Sequence, residues 1–382
     1  MARYRWTILA LGTGAQTAYS AVFLGIPVLA PALQDAYHLD LTQVGLAIAA
    51  ANGGSIFTLL AWGLLADRVG ERAVLGAGLA GCGVGLVVAA YAPSFAALVV
   101  ALTLGGALGA SVNAASGRAV MSWFAPQQRG FALGIRQTAL PMGGLIAALV
   151  LPPVEAAGGV RAGLLALAAG CFAAAIAGFG GIREAPRQEE ELTDIGSPVR
   201  DPRMWKLSAG SALILGAQIS ILSFLILFLH QERGLSTVEA AGIFAVIQAF
   251  GAVLRIASGR WSDRVQARIA PLRRLALALT ATLATAAALL SAPLAILIPV
   301  FVVAGALSLS WNGLSFTAAA ELAGRRRAGA ALGFQQTALA ITSAAAPPAF
   351  AAVVEAGSWS LAYGLAAAMP VAGVALMRQL SL

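Results

Sequence analysis

The chain has 382 residues, of which 59% are hydrophobic and 10% charged, with a formal net charge of +8. A water-soluble chain carries roughly 25% charged residues, so no aqueous domain of this length would cover so much apolar surface, and lipid is the solvent this composition demands. The positive charge is not a nucleic-acid footprint, because the arginines stand in short gaps between apolar stretches, which is the pattern of a membrane topology signal.

A bilayer-crossing helix needs about 20 mostly apolar residues. In chain order the sequence predicts twelve, numbered here 1 to 12, over residues 7–30, 41–62, 74–92, 95–120, 131–152, 161–181, 206–229, 237–258, 273–291, 294–318, 330–352 and 359–377. The first follows Arg3 and Arg5 but is longer than a signal-peptide core, so it reads as a retained span. Pro93, Pro152–Pro153, Pro293 and Pro347–Pro348 mark expected helix ends or kinks. Cys82 and Cys171 lie inside apolar runs, which argues against a disulfide framework or a metal site. The abundant Gly and Ala suit membrane helices that pack through small residues.

With both termini placed inside, the inner loops and helix ends hold nearly every cation, including Arg68, Arg72, Arg129, Arg260, Arg264 and the Arg325–Arg326–Arg327 run, while the outer loops hold Arg161 and Arg233. That asymmetry predicts cytoplasmic termini in a bacterial inner membrane. Residues 183–205, with Glu189, Glu190, Glu191 and no apolar periodicity, read as a cytoplasmic linker between a six-helix bundle at 1–182 and another at 206–382.

The halves repeat. Gly63-Leu-Leu-Ala-Asp67-Arg68-Val69 matches Gly259-Arg-Trp-Ser-Asp263-Arg264-Val265, and Leu133-Gly-Ile-Arg136-Gln137-Thr-Ala-Leu140 matches Leu332-Gly-Phe-Gln335-Gln336-Thr-Ala-Leu339. The second offset also pairs Gly106-Ala107-Leu108 with Gly305-Ala306-Leu307, and Asn113 with Asn312. Several matches in register and in order, in halves of the same orientation, imply parallel repeats about an axis along the membrane normal. The fold class expected is therefore an all-α membrane protein of two six-helix bundles.

Gly63 to Arg72 resembles the loop motif between helices 2 and 3 of the major facilitator superfamily, and Gly259 to Arg264 resembles its second copy. The resemblance implies alternating access, with a cavity lined by helices 1, 2, 4, 5, 7, 8, 10 and 11 and with 3, 6, 9 and 12 outside. It also implies a gating role at the inner helix ends for Gly63, Asp67, Arg68, Arg72, Asp263 and Arg264, with Gly63 permitting close helix approach; ordinary topogenic charge is the alternative. Arg118 is either a partner of this loop or one more inner-end arginine. The residues test the lining independently: helices 3, 6, 9 and 12 are almost free of strongly polar side chains, and the others carry Gln16, Asn52, Asn113, Arg136, Gln137, Gln218, Gln248, Arg255, Asn312, Gln335 and Gln336. Such groups are costly against lipid and belong on a bundle interior or a watered cavity.

These polar residues are the candidate substrate site. No Asp or Glu falls at a helix centre, with Glu239 at the start of helix 8 the nearest. Arg136 is expected about 8 Å into helix 5 at 1.5 Å per residue, and Arg255 in the inner third of helix 8, on one face with Gln248. With no acid in these helices, an anionic substrate is the natural counter-ion, and a guanidinium suits a carboxylate. Snorkelling to the inner surface is the alternative for both arginines, and inter-helix bonding the alternative for the amides. Arg255 followed by Gly259 is similar to an arrangement in monocarboxylate and oxalate/formate transporters, and Arg136 to Gly144 resembles helix 5 of cyanate-permease-like proteins. The latter also resembles in part the Gly-Pro-x-x-Gly-Gly motif of drug exporters, from which it departs at Leu140 and in the spacing after Pro141. Two transport readings follow: a small organic anion, or an exporter of amphipathic compounds with Trp311, Phe224 and Phe334 lining an apolar cavity. No cluster of catalytic groups supports an enzyme or receptor, no cofactor is implied, and a monomer is expected with a small-molecule substrate as its partner.

Overall fold

The computed structural model describes residues 4–124, 126–183, 200–324 and 328–380. It is all-α, with twelve spans. Helix 1 is Tyr4–Val28, followed by a short helix Ala30–Tyr37; helix 2 is Leu41–Val69, helix 3 Glu71–Ala90, helix 7 Pro202–Gln231 and helix 8 Thr237–Val265. Helix 9 is Ile269–Ala288, helix 11 Ala328–Ala356 and helix 12 Trp359–Leu376. Among the described residues ten helical stretches are long and apolar enough to cross a membrane, one of them, Ala132–Gly181, holds both helix 5 and helix 6, and helix 2, Leu41–Val69, stands outside the ten.

Several boundaries move for identifiable reasons. Helices 5 and 6 part at Gly159, whose φ of 68° takes it out of helical geometry, whereas Pro152 and Pro153 stay within the helix. A left-handed φ is cheap only for glycine. The loop motif is not a loop over most of its length: Gly63 to Val69 completes helix 2, and the turn comes at Gly70, with φ 89°. Its second copy likewise completes helix 8, with the turn at Gln266. Of the predicted linker, residues 184–199 lie outside the described residues, as do Arg325, Arg326, Arg327 and Arg3.

Helices 4 and 10 break at equivalent points of the repeat. Helix 4 is Phe95–Gly109 followed by Ser111–Trp123, and helix 10 is Leu294–Ser308 followed by Asn312–Ala323. Side chains of neighbouring helices take up the carbonyls near each break. Thr58 Oγ1 and Trp62 Nε1 donate to Ala107 O at 2.7 and 2.8 Å. Ser258 Oγ donates to Ser310 O at 2.7 Å. This satisfaction is obligatory where no water reaches the backbone.

The chain packs as two units, Met1–Arg187 with Phe224–Ala245, and Gln188–Ser223 with Val246–Leu382. In the first, helix 5 lies against helix 1 at Gly143, where a Cβ would come within 2.6 Å of Ala21 N and Thr17 O. Elsewhere in that unit Cys82 of helix 3 and Cys171 of helix 6 meet as free thiols, with sulfurs 3.9 Å apart. The C-terminal part of helix 7 is buried from Phe224 to Leu229, and Gln231 beyond it donates to Gln34 Oε1 at 2.6 Å. In the second unit Phe301, Phe350, Trp359 and Tyr363 form an aromatic cluster, with Phe350 edge-on to Tyr363 at 5.1 Å between centroids. Large apolar side chains such as Phe57 and Ile176 face outward, as lipid permits.

Candidate functional site

Helix 5 begins at Pro126 rather than near residue 131, so Arg136 stands ten residues in, about 15 Å along the axis at 1.5 Å per residue instead of about 8 Å. The helix breaks just beyond it, between Gln137 and Ala139. Arg255 is likewise ten residues from the end of helix 8 at Val265, deeper than the sequence suggested. Both arginines are buried, at 8% and 7% exposed.

Three neutral groups hold the Arg136 guanidinium. Its Nε donates to Ser116 Oγ at 2.9 Å, and its Nη2 to Gln16 Oε1 at 2.8 Å and to Asn113 O at 3.4 Å. Among the described residues no carboxylate pairs with it, and Nη1 makes no hydrogen bond to protein. Gly117 faces this end: a Cβ there would lie 3.8 Å from Arg136 Cζ and 3.9 Å from Nη1. The cost of burying an unneutralised cation is several kcal/mol. Hydrogen bonds to a charged donor offset this by about 1.5–3 kcal/mol each, but neutral acceptors supply no counter-charge. Arg255 is used differently: its Nε donates to Leu309 O at 2.9 Å, at the break in helix 10.

The second unit carries the counterpart of this cradle. At the position equivalent to Arg136, Gln335 Nε2 donates to Ser315 Oγ at 2.6 Å and Ser211 Oγ at 3.3 Å. Ser315 is to Asn312 what Ser116 is to Asn113, an Asn-x-x-Ser pair in each half. Gln218 accepts from Trp311 Nε1 at 3.0 Å, which buries both. Gln335 Oε1, Asn312 Oδ1 and both polar ends of Gln248 are buried with no hydrogen-bond partner among the described residues. Each such group costs about 1–3 kcal/mol if it stays unmet. Asn52 bonds Ile48 O within its own helix at 3.2 Å, and Gln137 and Gln336 are half-buried.

Sequence reasoning missed the serines because a serine in an apolar helix usually satisfies itself on the backbone one turn back. The repeated Asn-x-x-Ser spacing was the available signal. It also missed Glu71, which pairs with Arg118 (Nε to Oε1, 3.1 Å), giving that arginine a partner in the motif region. In the second unit the polarity is reversed: Arg268, just after helix 8, pairs with Asp263 at 2.6 Å and with Glu321 of helix 10 at 3.0 Å. Arg72 donates to the Phe179 carbonyl of helix 6 and lies over that ring. At Gly63 a Cβ would meet no atom within 4 Å among the described residues. Arg68 and Arg264 are exposed, and the side chain of Asp67 lies outside the described residues. Glu239 is an exposed helix cap: its carboxylate accepts from Ser236 N and Oγ, both at 2.8 Å.

A separate groove of about 770 Å³ runs along helices 1, 5 and 6, between residues such as Ala10, Gly14, Ala21, Met142, Ile146 and Gly170. It is apolar apart from Thr13, Thr17 and Thr138, and neither Arg136 nor Gln16 lines it.

Residues 11–347 match the family model of the Major Facilitator Superfamily. An uncharacterised MFS-type transporter of Mycobacterium tuberculosis is 36% identical over 98% of this chain and 84% of its own length. A probable nitrate/nitrite antiporter of Thermus thermophilus is 28% identical over 69% of this chain and 62% of its own, and a hexuronate transporter of Bacillus subtilis is 24% identical over 64% and 61%. Among solved structures, a bacterial homolog of the human lysosomal transporter Spinster, in an inward-facing and occupied conformation, superposes with a TM-score of 0.76 at 18% identity over 98% of this chain and 95% of that one. The chain belongs to the Major Facilitator Superfamily of membrane transporters.

Proposed function

We propose that this transporter is a secondary carrier working by alternating access, that its substrate is a small organic anion, and that Arg136 receives the substrate carboxylate. The observation that carries the reading is a buried guanidinium held, among the described residues, by neutral acceptors alone, with Nη1 making no hydrogen bond among them. Gln16 and Ser116 orient it, and Gln137, Asn113 and Asn52 are the further candidates for substrate contact in the first unit; in the second unit, taken by itself, the candidates are Gln335, Gln336, Gln248, Asn312, Gln218 and Arg255. Two of the relatives are named for anions, nitrate/nitrite and hexuronate, which supports the sign of the charge. The arginine distribution supports cytoplasmic termini in a bacterial inner membrane, with 183–205 as the linker between halves 1–182 and 206–382. The ion pairs of Glu71–Arg118 and of Arg268 with Asp263 and Glu321 are proposed to brace the arginine-rich helix ends during gating, in company with Asp67, Arg68, Arg72 and Arg264.

The test is a thermal-shift screen of the purified protein against carboxylates, amino acids and amphipathic drugs. A ligand of the folded state raises the melting temperature by mass action, by about 2.7 kcal/mol of stabilisation at a hundred times its dissociation constant. A carboxylate is expected to raise it in wild type and not in Arg136→Ala. An equal shift in both removes Arg136 from recognition. The second reading, an exporter of amphipathic compounds, draws on the apolar groove of helices 1, 5 and 6. Trp311 and Phe224 do not favour it, because both are packed away at 1% and 0% exposure. Shifts by drugs alone select that reading.

A further inference from the structure

The apolar groove of about 770 Å³ lies wholly within the first unit, on helices 1, 5 and 6. Along helix 1 it runs from Ala10 to Ala21, and along helix 6 from Ala177 back to Ala166. The two walls are antiparallel, since Leu11 meets Gly181 at one end and Leu29 meets Gly163 at the other. Eleven residues of rise on either wall span about 16 Å at 1.5 Å per residue, the depth of one leaflet of a hydrocarbon core about 30 Å thick. Its glycines do not serve helix packing: a Cβ at Gly14 or Gly170 would meet no atom within 4 Å. On the helix 5 wall Met142, Ile146 and Val150 are exposed, and all are apolar.

The walls of helices 1 and 6 converge on a cationic, aromatic end. Tyr4 Oη donates to Gly181 O at 2.6 Å, beside the groove residue Leu11. The Arg183 guanidinium lies over the Tyr4 ring, 4.5 Å from its centroid, and Trp123 Nε1 donates to Arg183 O at 3.0 Å. Arg5 stands 5.5 Å from the Trp6 centroid and 5.6 Å from that of Phe124. Its Nη1 donates to Gln128 Oε1 at 2.8 Å, and its Nε has no hydrogen-bond partner among the described residues. Neither arginine pairs with a carboxylate among the described residues. Trp and Tyr mark the depth at which lipid headgroups begin, and a guanidinium matches a phosphate.

We propose that groove and cluster are one site, which holds an anionic phospholipid of the leaflet beside the N-terminal end of helix 1. Its phosphate sits on Arg183 and Arg5, and one acyl chain lies along the groove. Charge and length together select this occupant. A neutral apolar solute leaves both arginines without an anion, and a free anion leaves the groove unfilled. A zwitterionic lipid fits the groove but brings a cation toward two guanidinium groups. The lipid is a bound component rather than the transported solute, so the inference stands apart from the role of Arg136.

The experiment is native mass spectrometry of the purified full chain, titrated with phosphatidylglycerol and with phosphatidylcholine of the same acyl chains. Wild type is expected to bind its tightest phosphatidylglycerol about tenfold or more above phosphatidylcholine. Each arginine near a membrane surface is worth roughly fivefold in affinity for an anionic lipid. Arg183→Gln and Arg5→Gln are therefore each expected to cut the preference about fivefold, and together to abolish it. Gly14→Leu and Gly170→Leu fill the groove without touching either arginine; each is expected to remove the tightest lipid whatever its headgroup. Retention of the weaker surrounding lipids by a variant shows that its folded surface is intact. Inorganic phosphate at millimolar concentration is expected to displace nothing. Equal affinity for the two lipids, a preference that survives loss of both arginines, or a tightest lipid that survives both leucines overturns the proposal. So does displacement by inorganic phosphate, which reduces the site to an anion site without a chain.

Discussion

Arg136 is costly where it stands, and the residues around it are the ones that make it tolerable. Ser116, Gln16 and the Asn113 carbonyl fix the guanidinium from three directions without cancelling its charge. Each neutral acceptor is therefore predicted to act on affinity through orientation and on stability through the buried charge: Ser116→Ala and Gln16→Leu should each weaken carboxylate binding about 3- to 10-fold and also lower the melting temperature, because each removes a hydrogen bond to a charged donor worth about 1.5–3 kcal/mol. Arg136→Lys should fail to rescue, because one ammonium cannot address all three directions at once. A lysine variant that binds normally would reduce Arg136 to a point charge. Arg136 and Gln16 are legible in the sequence because a guanidinium or an amide inside an apolar run has few cheap explanations. Ser116 and Ser315 were not, since nothing local separates a ligand-orienting serine from a self-satisfied one. Only their shared offset from Asn113 and Asn312 does.

Helix positions followed from apolar run lengths, but helix ends did not. Val69 and Val265 continue helices that seemed to finish earlier, because the Asp-Arg turns of the motif are still helical and the chain reverses only at Gly70 and Gln266. The breaks in helices 4 and 10 were invisible: their apolar runs continue without a proline at Ala110 or Leu309, and the reason for breaking lies in neighbouring side chains that take up the freed carbonyls. Small-residue packing was anticipated in general, and Gly143 gives it a location. A Cβ at Gly143 would press on the helix 1 backbone at Thr17, the residue after Gln16, and at Ala21, so Gly143→Val is predicted to lower the melting temperature by several degrees, through an overpacking cost of about 1–3 kcal/mol. Gly170→Ala, where a Cβ meets nothing within 4 Å, is the control expected to change little. Equal behaviour of the two would mean that helix 5 does not approach helix 1 at this glycine.

Across the whole molecule the duplicated plan persists while its chemistry diverges. Equivalent helices break at equivalent places, equivalent serines hold equivalent side chains, and yet arginine faces glutamine, and the Glu71–Arg118 pair is answered by Arg268–Glu321 with the charges exchanged. The direct measurement is counterflow of a labelled carboxylate, chosen from the binding screen, in proteoliposomes holding wild type or Arg136→Ala at equal folded content. The account predicts exchange by wild type and none above empty liposomes by the variant; full exchange by Arg136→Ala would contradict it.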